Sequence, residues 1–429
     1  MQRAGTMAVK RFFQEISGTP EIFSSPTKLL ISGRSFSFMS SQKDPALELS
    51  LTRNRRWIVN NQIKNIILRY PNQVVPIWLL QKKFKTLDLQ GKALNWVKKY
   101  PRCFEVYLDN GDYYCKLTKQ MMSLVDEEVS VQDEQEPVIV ERLAKLLLMS
   151  SNRKLNVLKL NEFKRIFGFP DDFLVRILPK YPEMFRLVSY GGRQSSMELE
   201  LVSWNPTLAV SVIETLAKER KTEPSFTCSL PISWVRAWEK FHEFSATPYI
   251  SPYTMSVREF REGSTEMEKR TVGLVHELLS LTLWKKVSIM KLTHFRREFK
   301  LPEKLNVILL KHPGIFYVSS KYQSHTVLLR EGYNGSTLMN KDPLVIVKEK
   351  FGDLMQEGRS EFNRRQHAVN LETKKDKDML LLKSSNRGIR GTAKASEQDD
   401  SIGKQGALHD PEERERFYKD LFDDDEAPP

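Results

Sequence analysis

Lysine and arginine recur in short clusters beside aromatic residues at several places along this chain. Three clusters contain a phenylalanine, namely Phe84 in QKKFK, Phe163 in EFKRIF and Phe295 in HFRREFK. Two similar clusters, TRNRRW and NWVKKY, contain a tryptophan. Cationic side chains repeated along helices can follow a phosphate backbone, so the clusters predict binding of a nucleic acid. The candidate contact residues are Arg53, Arg55, Arg56, Lys82, Lys83, Lys85, Lys98, Lys99, Lys164, Arg165, Arg296, Arg297 and Lys300.

A solvated helix face is the ordinary explanation of any single cluster of this kind. Recurrence of the cluster beside a phenylalanine at three places favours a shared function instead. Phosphate contacts supply affinity but little sequence choice, and RNA specificity needs exposed aromatic or amide groups that reach unpaired bases. We expect Phe84, Phe163 and Phe295 themselves to be core residues, because they recur at packing positions.

A nine-residue phrase is repeated three times, as KYPRCFEVY at 99–107, KYPEMFRLV at 180–188 and KHPGIFYVS at 311–319. Proline disfavours helix in the residue before it and cannot continue helical hydrogen bonding. A helix is therefore predicted to end near the residue before each proline, and the following aromatic residue to pack back onto it. The residues before proline are Tyr100, Tyr181 and His312, and the following aromatic residues are Phe104, Phe185 and Phe316.

The segments around each phrase predict one repeated unit. A short helix that ends at the clustered phenylalanine is followed by a turn and a second apolar helix, and two β-prone runs come after the phrase. DNGD at 109–112 is a strong hairpin signal between the first pair of runs. The predicted fold is α+β and mainly helical. It has three helix-turn-helix plus β-hairpin (winged-helix-like) units in one elongated body with disordered termini.

Positive charge is concentrated in the middle of the chain. The formal net charge is +13, and the sequence pI is ≈ 9.4. Residues 1–43 carry +4 and residues 352–429 carry −4, so residues 44–351 carry +13. A net charge of this size favours an anionic partner, which is a nucleic acid, an anionic lipid or an acidic protein.

Composition also predicts segment boundaries. Residues 1–43 have six basic residues, two acidic residues and many Ser and Thr, which is typical of an organellar transit peptide, with a disordered tail as the alternative. The arginine before SFSF favours the mitochondrion over the chloroplast. The predicted segments are the transit peptide at 1–43, a first unit at 44–124, an acidic linker at 125–137, a second unit at 138–220, an irregular segment with the third unit at 221–351, and a charged, disordered tail at 352–429.

Motif searches give no candidate catalytic, metal or cofactor residue. The sequence lacks G-x-G-x-x-G, the P-loop, H-E-x-x-H and G-x-S-x-G. Cys103, Cys115 and Cys228 form no C-x-x-C pair, so we expect small buried thiols and no disulfide framework. His276 falls on an apolar helix face and is predicted to be a core histidine. Because these motifs are absent, we expect no enzyme activity and no small-molecule substrate. The sequence also has no apolar run long enough to span a bilayer, so we expect no membrane partner.

Longer segments match the pattern of a known family. RNRRWIVNNQIKNIILRYPNQVVPI and KLNEFKRIFGFPDDFLVRILPKYPEMFRLV are similar to its opening and its middle. WEKFHEFSATPYISPY at 238–253 is similar to its Tyr-x-Ser-Pro-Tyr segment, and residues 268–333 resemble its C-terminal part. On these residues the chain resembles the plant organelle RNA recognition (PORR) domain family over roughly 50–355. FTCSLPISW at 226–234 departs from the family pattern.

The resemblance implies a nuclear-encoded plant protein that is imported into mitochondria or plastids. Members of the family bind organellar RNA and promote splicing of group II introns, while the intron itself supplies the chemistry. The resemblance therefore implies no catalytic residue and no cofactor. It also assigns no single RNA contact, so the candidate residues depend on charge and repetition alone.

Two functional hypotheses follow. The first is a non-catalytic organellar protein that binds intron RNA through its cationic helices, together with other splicing factors, in the mitochondrion or alternatively the chloroplast. The second is a protein-interaction scaffold in an organellar ribonucleoprotein complex, which the acidic tail favours. DNA binding is a third option, because winged helices frequently bind duplexes.

Overall fold

The computed structural model describes residues 43–51, 55–89, 91–189, 197–231, 233–254, 260–261, 263–321 and 325–385, without the side chains of 378 and 380–385. The predicted transit peptide up to residue 42, Arg53 and the tail from residue 386 lie outside the described residues. Within the described ranges, no helix combines the length and apolar composition that crossing a membrane requires.

The chain divides into two compact units. The larger unit contains the described residues of 43–51 and 130–345, and the smaller unit contains those of 55–129 and 346–385. Each unit is therefore built from segments that are separated in the sequence. Most of the described residues are helical, and the strands form small antiparallel sheets.

The first predicted repeat lies in the smaller unit. In chain order the first elements are α1 (Pro45–Ser50), α2 (Arg55–Arg69), β1 (Val74–Pro76), α3 (Ile77–Lys82), α4 (Ala93–Lys98), β2 (Phe104–Asp109) and β3 (Asp112–Leu117). The strands form an antiparallel sheet in the order β1-β3-β2. Asn110 and Gly111 have positive φ at the tip of the β2–β3 hairpin, so the tight turn predicted from DNGD is confirmed.

The second repeat has the same topology in the larger unit. Two helices, α5 (Lys119–Glu134) and α6 (Glu136–Met149), precede it. Its elements are β4 (Lys154–Asn156), α7 (Val157–Phe163), α8 (Phe173–Arg176), β5 (Phe185–Ser189) and β6 (Met197–Leu201). The sheet order is β4-β6-β5, so the strand before the first helix again pairs with the last strand of the hairpin.

The third repeat follows three helices, α9 (Val212–Arg220), α10 (Val235–Ala246) and α11 (Thr265–Leu281). Its elements are β7 (Lys286–Ser288), α12 (Ile289–His294), α13 (Arg296–Phe299), α14 (Leu305–Lys311), β8 (Phe316–Ser319) and β9 (Thr326–Leu329). The sheet order β7-β9-β8 repeats the topology. The chain continues through β10 (Tyr333–Asn334), β11 (Thr337–Leu338) and α15 (Pro343–Ser385).

The repeated phrase forms the same turn in all three repeats. The carbonyl oxygens of Tyr100, Tyr181 and His312 each accept hydrogen bonds from two successive backbone N–H groups, at 3.0 to 3.2 Å. The second N–H in each pair belongs to a buried phenylalanine that begins a strand. These residues are Phe104, Phe185 and Phe316. The predicted helix ends and the packing of the aromatic residue after proline are confirmed; in the second repeat α8 ends at Arg176 and a 3-10 turn, Leu178–Lys180, leads to Tyr181.

A residue in the left-handed conformation closes the turn after the first helix of each repeat. These residues are Asp88, Gly168 and Lys300, with φ of 51°, 76° and 51°. The next residue is buried, and its N–H donates to a carbonyl oxygen five residues back, from Leu89 to Phe84, from Phe169 to Lys164 and from Leu301 to Arg296. This is the Schellman arrangement, which satisfies carbonyl groups left free at a helix end.

The left-handed residues correct the alignment of the clustered phenylalanines. Phe163 and Phe295 lie five residues before Gly168 and Lys300 and are buried, with 1% and 3% of their surface exposed. Lys83, and not Phe84, lies five residues before Asp88. One residue turns a helical side chain by about 100°. Phe84 is accordingly 41% exposed, so the prediction that it is a core residue is wrong, whereas the predictions for Phe163 and Phe295 are confirmed.

Aromatic side chains of the second and third repeats join in the core of the larger unit. The ring centroids of Phe163 and Phe295 are 4.4 Å apart, and those of Phe295 and Phe299 are 5.3 Å apart. Helix α11 packs into the same core, and its charged residue Lys269 is buried there. The Lys269 ammonium group donates to the Phe244 carbonyl and lies 4.0 Å from the centroid of the Phe244 ring. Burial lowers the pKa of Lys269 to about 8.

His276 on helix α11 is almost fully buried, which confirms its prediction as a core histidine. Its Nε2 atom lies 2.6 Å from a carboxylate oxygen of Glu331. Burial alone would raise the pKa of Glu331, but the interactions with His276, Thr227 and Arg220 together outweigh burial, so the pKa is lowered. The histidine therefore ties α11 to the segment after the third hairpin.

The smaller unit is completed by the last helix. The buried Trp57 of α2 lies against Phe351 of α15, with ring centroids 5.7 Å apart. The Lys64 ammonium group lies 2.8 Å from a Glu128 carboxylate oxygen and 5.8 Å from the centroid of the Phe351 ring. The segment from residue 346 thus supplies part of the core for helices that begin near residue 55.

The acidic stretch 125–137, expected to be an irregular linker, is helical. It runs through the end of α5 and the start of α6. Met121 and Val125 are buried one helical turn apart, and most of the acids between them and Glu134 point outward. The dense negative charge hid this narrow apolar stripe, because Asp126, Glu127, Glu128, Asp133 and Glu134 dominate the stretch.

Residues 352–385, expected to be disordered, belong to α15. Leu354 and Met355 are buried, so the first turns of the helix are held by packing. Beyond these turns the helix is exposed and charged, which is why composition alone favoured disorder. The prediction of disorder is wrong for 352–385, and the rest of the tail lies outside the described residues.

Replacing Phe163 with alanine should destabilise the larger unit by about 3 to 5 kcal/mol, because it leaves a cavity against Phe295. Urea unfolding followed by circular dichroism measures the change. The matched control is Phe84→Ala, which removes an exposed ring and should alter stability by less than about 0.5 kcal/mol. Equal losses in the two variants would contradict the corrected alignment.

Candidate nucleic-acid interface

The left-handed residues place one cation at the same position in every repeat. Lys85, Arg165 and Arg297 each lie three residues before Asp88, Gly168 and Lys300 respectively. All three cations are exposed, and within the described part of the chain none of them forms an ion pair. We call Lys85, Arg165 and Arg297 the repeat cations. Cations in a last helical turn also complement the helix dipole, so their position alone has a structural explanation.

The remaining cations of the first repeat fall into two groups. Lys82 and Lys83 end α3 and are exposed. Lys98 and Lys99 end α4 and are also exposed, and the Lys98 ammonium group lies 5.4 Å from the centroid of the Tyr113 ring in the hairpin. The Gln81 side chain accepts a hydrogen bond from Ala93 N–H at 2.8 Å, so the end of α3 lies beside the start of α4. The two lysine groups are therefore at opposite ends of α4.

The arginines that begin α2 differ from each other. Arg55 is half-buried and is held by the Asp88 carboxylate and carbonyl groups, with its guanidinium carbon 5.4 Å from the Trp96 ring centroid. The Arg55 guanidinium group is thus already paired with Asp88. Arg56 is exposed. Arg53, the third candidate in this cluster, lies outside the described residues.

The second and third repeats share a cationic cleft in the larger unit. It has a volume of about 370 Å³ and is lined by Lys159, Thr293, His294, Arg296 and Arg297. Lys159 donates to the His294 carbonyl oxygen at 2.7 Å and contacts the Glu298 carboxylate. Lys159 and His294 were not predicted from the sequence. The packing of Phe163 on Phe295 accompanies the approach of Lys159 to the third repeat, which the sequence alone does not show.

Acidic residues compensate two of the predicted contacts in the larger unit. Lys164 lies 2.8 Å from Asp171, and Arg296 forms an ion pair with Glu303. Lys300 is exposed, and no ion pair links it to another described residue. Among the predicted contacts in this unit, Arg165, Arg297 and Lys300 are therefore the ones without an ion pair to another described residue.

The three repeats lie within a region that matches a known protein family. The family model of the plant organelle RNA recognition domain matches residues 42–360. The chain belongs to this family. The resemblance expected from the sequence is confirmed, and the match extends over all three repeats of the plant organelle RNA recognition domain.

This chain is similar to several proteins of Arabidopsis thaliana. The chain is 32% identical, over 73% of its length, to the Protein WHAT'S THIS FACTOR 1 homolog, chloroplastic, of Arabidopsis thaliana, and it spans 62% of that relative. It is 31% identical to Protein ROOT PRIMORDIUM DEFECTIVE 1 of Arabidopsis thaliana, over 68% of this chain and 76% of that protein. It is 29% identical to Protein WHAT'S THIS FACTOR 9, mitochondrial, of Arabidopsis thaliana, over 68% of this chain and 78% of that protein. The chain spans a little under two thirds of the first relative. No solved structure gives a match.

The Tyr-x-Ser-Pro-Tyr segment of the domain has a structural role here. Tyr253 donates its hydroxyl hydrogen to buried Glu277 at 2.8 Å, and the Tyr249 hydroxyl lies 2.9 Å from Ser211 Oγ. Glu277 also accepts the Val212 N–H at the start of α9, at 2.8 Å. Burial and the Glu277 charge raise the pKa of Tyr253, so its hydroxyl group remains a donor. The segment thus joins α9 to α11.

The described residues form no metal-binding cluster, and two of the three cysteines are buried. No group of three or more His, Cys, Asp or Glu residues there is arranged to hold a metal ion. Cys103 and Cys115 are buried, and burial raises the pKa of Cys115 to about 12. Since the thiolate is the reactive form, these thiols are packing residues.

Tyr253→Phe should destabilise the larger unit by about 1 to 3 kcal/mol, because buried Glu277 loses a hydrogen-bond donor. Equilibrium urea unfolding measures the loss. Tyr113→Phe is the control, because Tyr113 is exposed on the hairpin and should tolerate the change. If Tyr253→Phe is as stable as the parent chain, the structural role assigned to this segment is wrong.

Proposed function

We propose that this chain is a non-catalytic organellar RNA-binding protein that promotes splicing of group II introns. The observation that carries the proposal is the set of three repeat cations, Lys85, Arg165 and Arg297, which are equivalent, exposed and free of ion pairs among the described residues. Membership of the plant organelle RNA recognition domain family supports RNA as the polyanion. The resemblance to that family also implies splicing, with the intron as catalyst.

The compartment belongs to the same proposal. The relatives are named chloroplastic and mitochondrial, and the basic, Ser- and Thr-rich residues 1–43 support import into an organelle. We favour the mitochondrion, because of the arginine before SFSF, with the chloroplast as the alternative. Other splicing factors are the proposed protein partners.

Each repeat is proposed to act as a winged-helix-like module. In every repeat the short strand and the β-hairpin form one antiparallel sheet with the same strand order, and the helices lie between them in the sequence. A repeat cation lies between the first and the last of these helices, and in the third repeat it belongs to α13. Contacts of this kind neutralise phosphates and position the RNA, and they do not choose its sequence.

Among the predicted contacts, the proposal gives most weight to residues without a compensating acid. These are the repeat cations together with Arg56, Lys82, Lys83, Lys98, Lys99 and Lys300. Arg55, Lys164 and Arg296 are paired with Asp88, Asp171 and Glu303. Their phosphate contacts would have to compete with these ion pairs, so we expect smaller contributions.

The test is the triple variant Lys85→Glu, Arg165→Glu and Arg297→Glu, assayed by filter binding to transcribed group II intron RNA over a range of salt concentrations. Each lost phosphate contact lowers the slope of log affinity against log salt by about 0.7 to 0.9. The triple variant should therefore lower the slope by about 2 to 3 and weaken binding at low salt. Circular dichroism verifies that the variant is folded.

The control variant Lys218→Glu, Lys221→Glu and Lys240→Glu makes the same change in net charge at exposed residues in and beside α9 and α10, outside the repeats. Its salt slope should match that of the parent chain. Equal losses in the two triple variants would contradict an interface at the repeat cations. A competition assay with double-stranded DNA tests the DNA hypothesis. If the chain is a DNA-binding protein, double-stranded DNA should displace the intron RNA efficiently.

A protein-interaction scaffold is the second candidate. It is favoured by the exposed apolar residues of α15, which are Val369, Leu371 and Met379. This hypothesis requires that organellar proteins co-purify with the chain equally well after nuclease treatment. If nuclease releases them, RNA is the link and the first proposal is supported.

A further inference from the structure

The second residue of the first helix is exposed and apolar in every repeat. These residues are Trp78, Leu158 and Met290, with 57%, 40% and 62% of their surface exposed. Their neighbours Ile77, Val157 and Ile289 are buried and orient the helices. The first repeat differs from the others, because it alone places a flat aromatic side chain at this position.

Three lysines follow Trp78 within seven residues. Lys82 follows it by four residues in α3, so the two side chains share a face of the helix. The next three residues are Lys83, Phe84 and Lys85, all exposed. No ion pair links these three lysines to another described residue. One short segment thus presents two exposed aromatic rings and three uncompensated positive charges.

We infer that Trp78 is a stacking platform for an unpaired base of single-stranded RNA, with Lys82, Lys83 and Lys85 on the neighbouring phosphates. Proteins that bind single strands combine a cationic surface with aromatic side chains on which bases stack. Phe84 offers a second ring beside the same lysines. The inference depends on the proposed RNA-binding function and assigns to the first repeat the contact with unpaired nucleotides.

Charge decides between RNA and a protein partner for this surface. Tryptophan is enriched at protein interfaces, but lysine is depleted there, and three lysines accompany Trp78 within eight residues. A duplex is disfavoured because its bases already stack on each other and expose no face to an indole ring. A single strand satisfies both the aromatic and the cationic parts of the surface.

The experiment compares Trp78→Ala and Trp78→Phe with the parent chain by fluorescence anisotropy. The probes are an unstructured oligoribonucleotide of about ten nucleotides, within the usual site size, an abasic oligomer with the same backbone, and an RNA duplex. Trp78→Ala should weaken binding of the oligoribonucleotide by roughly 5- to 100-fold. Trp78→Phe should restore most of the affinity, and binding of the abasic oligomer should not change.

Leu158→Ala and Met290→Ala are matched controls, because they remove exposed apolar side chains at the equivalent position. Both should leave the affinity for the oligoribonucleotide unchanged. Unchanged affinity in Trp78→Ala would overturn the inference, and so would an equal loss for the abasic oligomer. Failure of the parent chain to bind transcribed group II intron RNA would instead overturn the proposed function, so the two failures are distinguishable.

Discussion

The left-handed residue that closes each inter-helix turn determines where the functional side chains point. At Asp88, Gly168 and Lys300 the backbone adopts positive φ, and the next N–H returns to the helix end. At Gly168 an added Cβ would lie 2.9 Å from the Leu283 side chain, so glycine is favoured there, whereas Asp88 and Lys300 adopt the left-handed conformation with a side chain. Once this residue is fixed, the helix period directs the residue five places earlier to one face and the residue three places earlier to another.

The sequence predicted the repeated unit because its signals were strong and local. Proline after Tyr100, Tyr181 and His312 ended a helix, and DNGD formed a hairpin, as expected. The strands β1, β4 and β7 were missed because three residues are too few for an alternating pattern. Phe84 was misplaced because the clusters were aligned on residue type, whereas a one-residue offset in the turn is visible only from backbone geometry.

The candidate site was predictable only as a set of charges. Net charge and clustering identified the cations but not the acidic residues that form ion pairs with them. Asp171 forms an ion pair with Lys164, and Glu303 forms one with Arg296. These partners lie seven residues away in both cases, beyond the spacing of helical ion pairs, and only the intervening turn brings them close. Trp78 was also missed, since an apolar run such as IWLL indicates a buried helix and gives no sign of which residue faces outward.

The last helix has a consequence for how the chain assembles. The buried Trp57 packs against Phe351, and the residues between them include 130–345, the main segment of the larger unit. Chains are made from the N-terminus, so the helices near residue 55 are synthesised long before their partner. During that interval their apolar faces are exposed to water and to other chains, and closing so distant a contact is slow. We therefore expect the smaller unit to mature last and to be the part of the protein most dependent on chaperones.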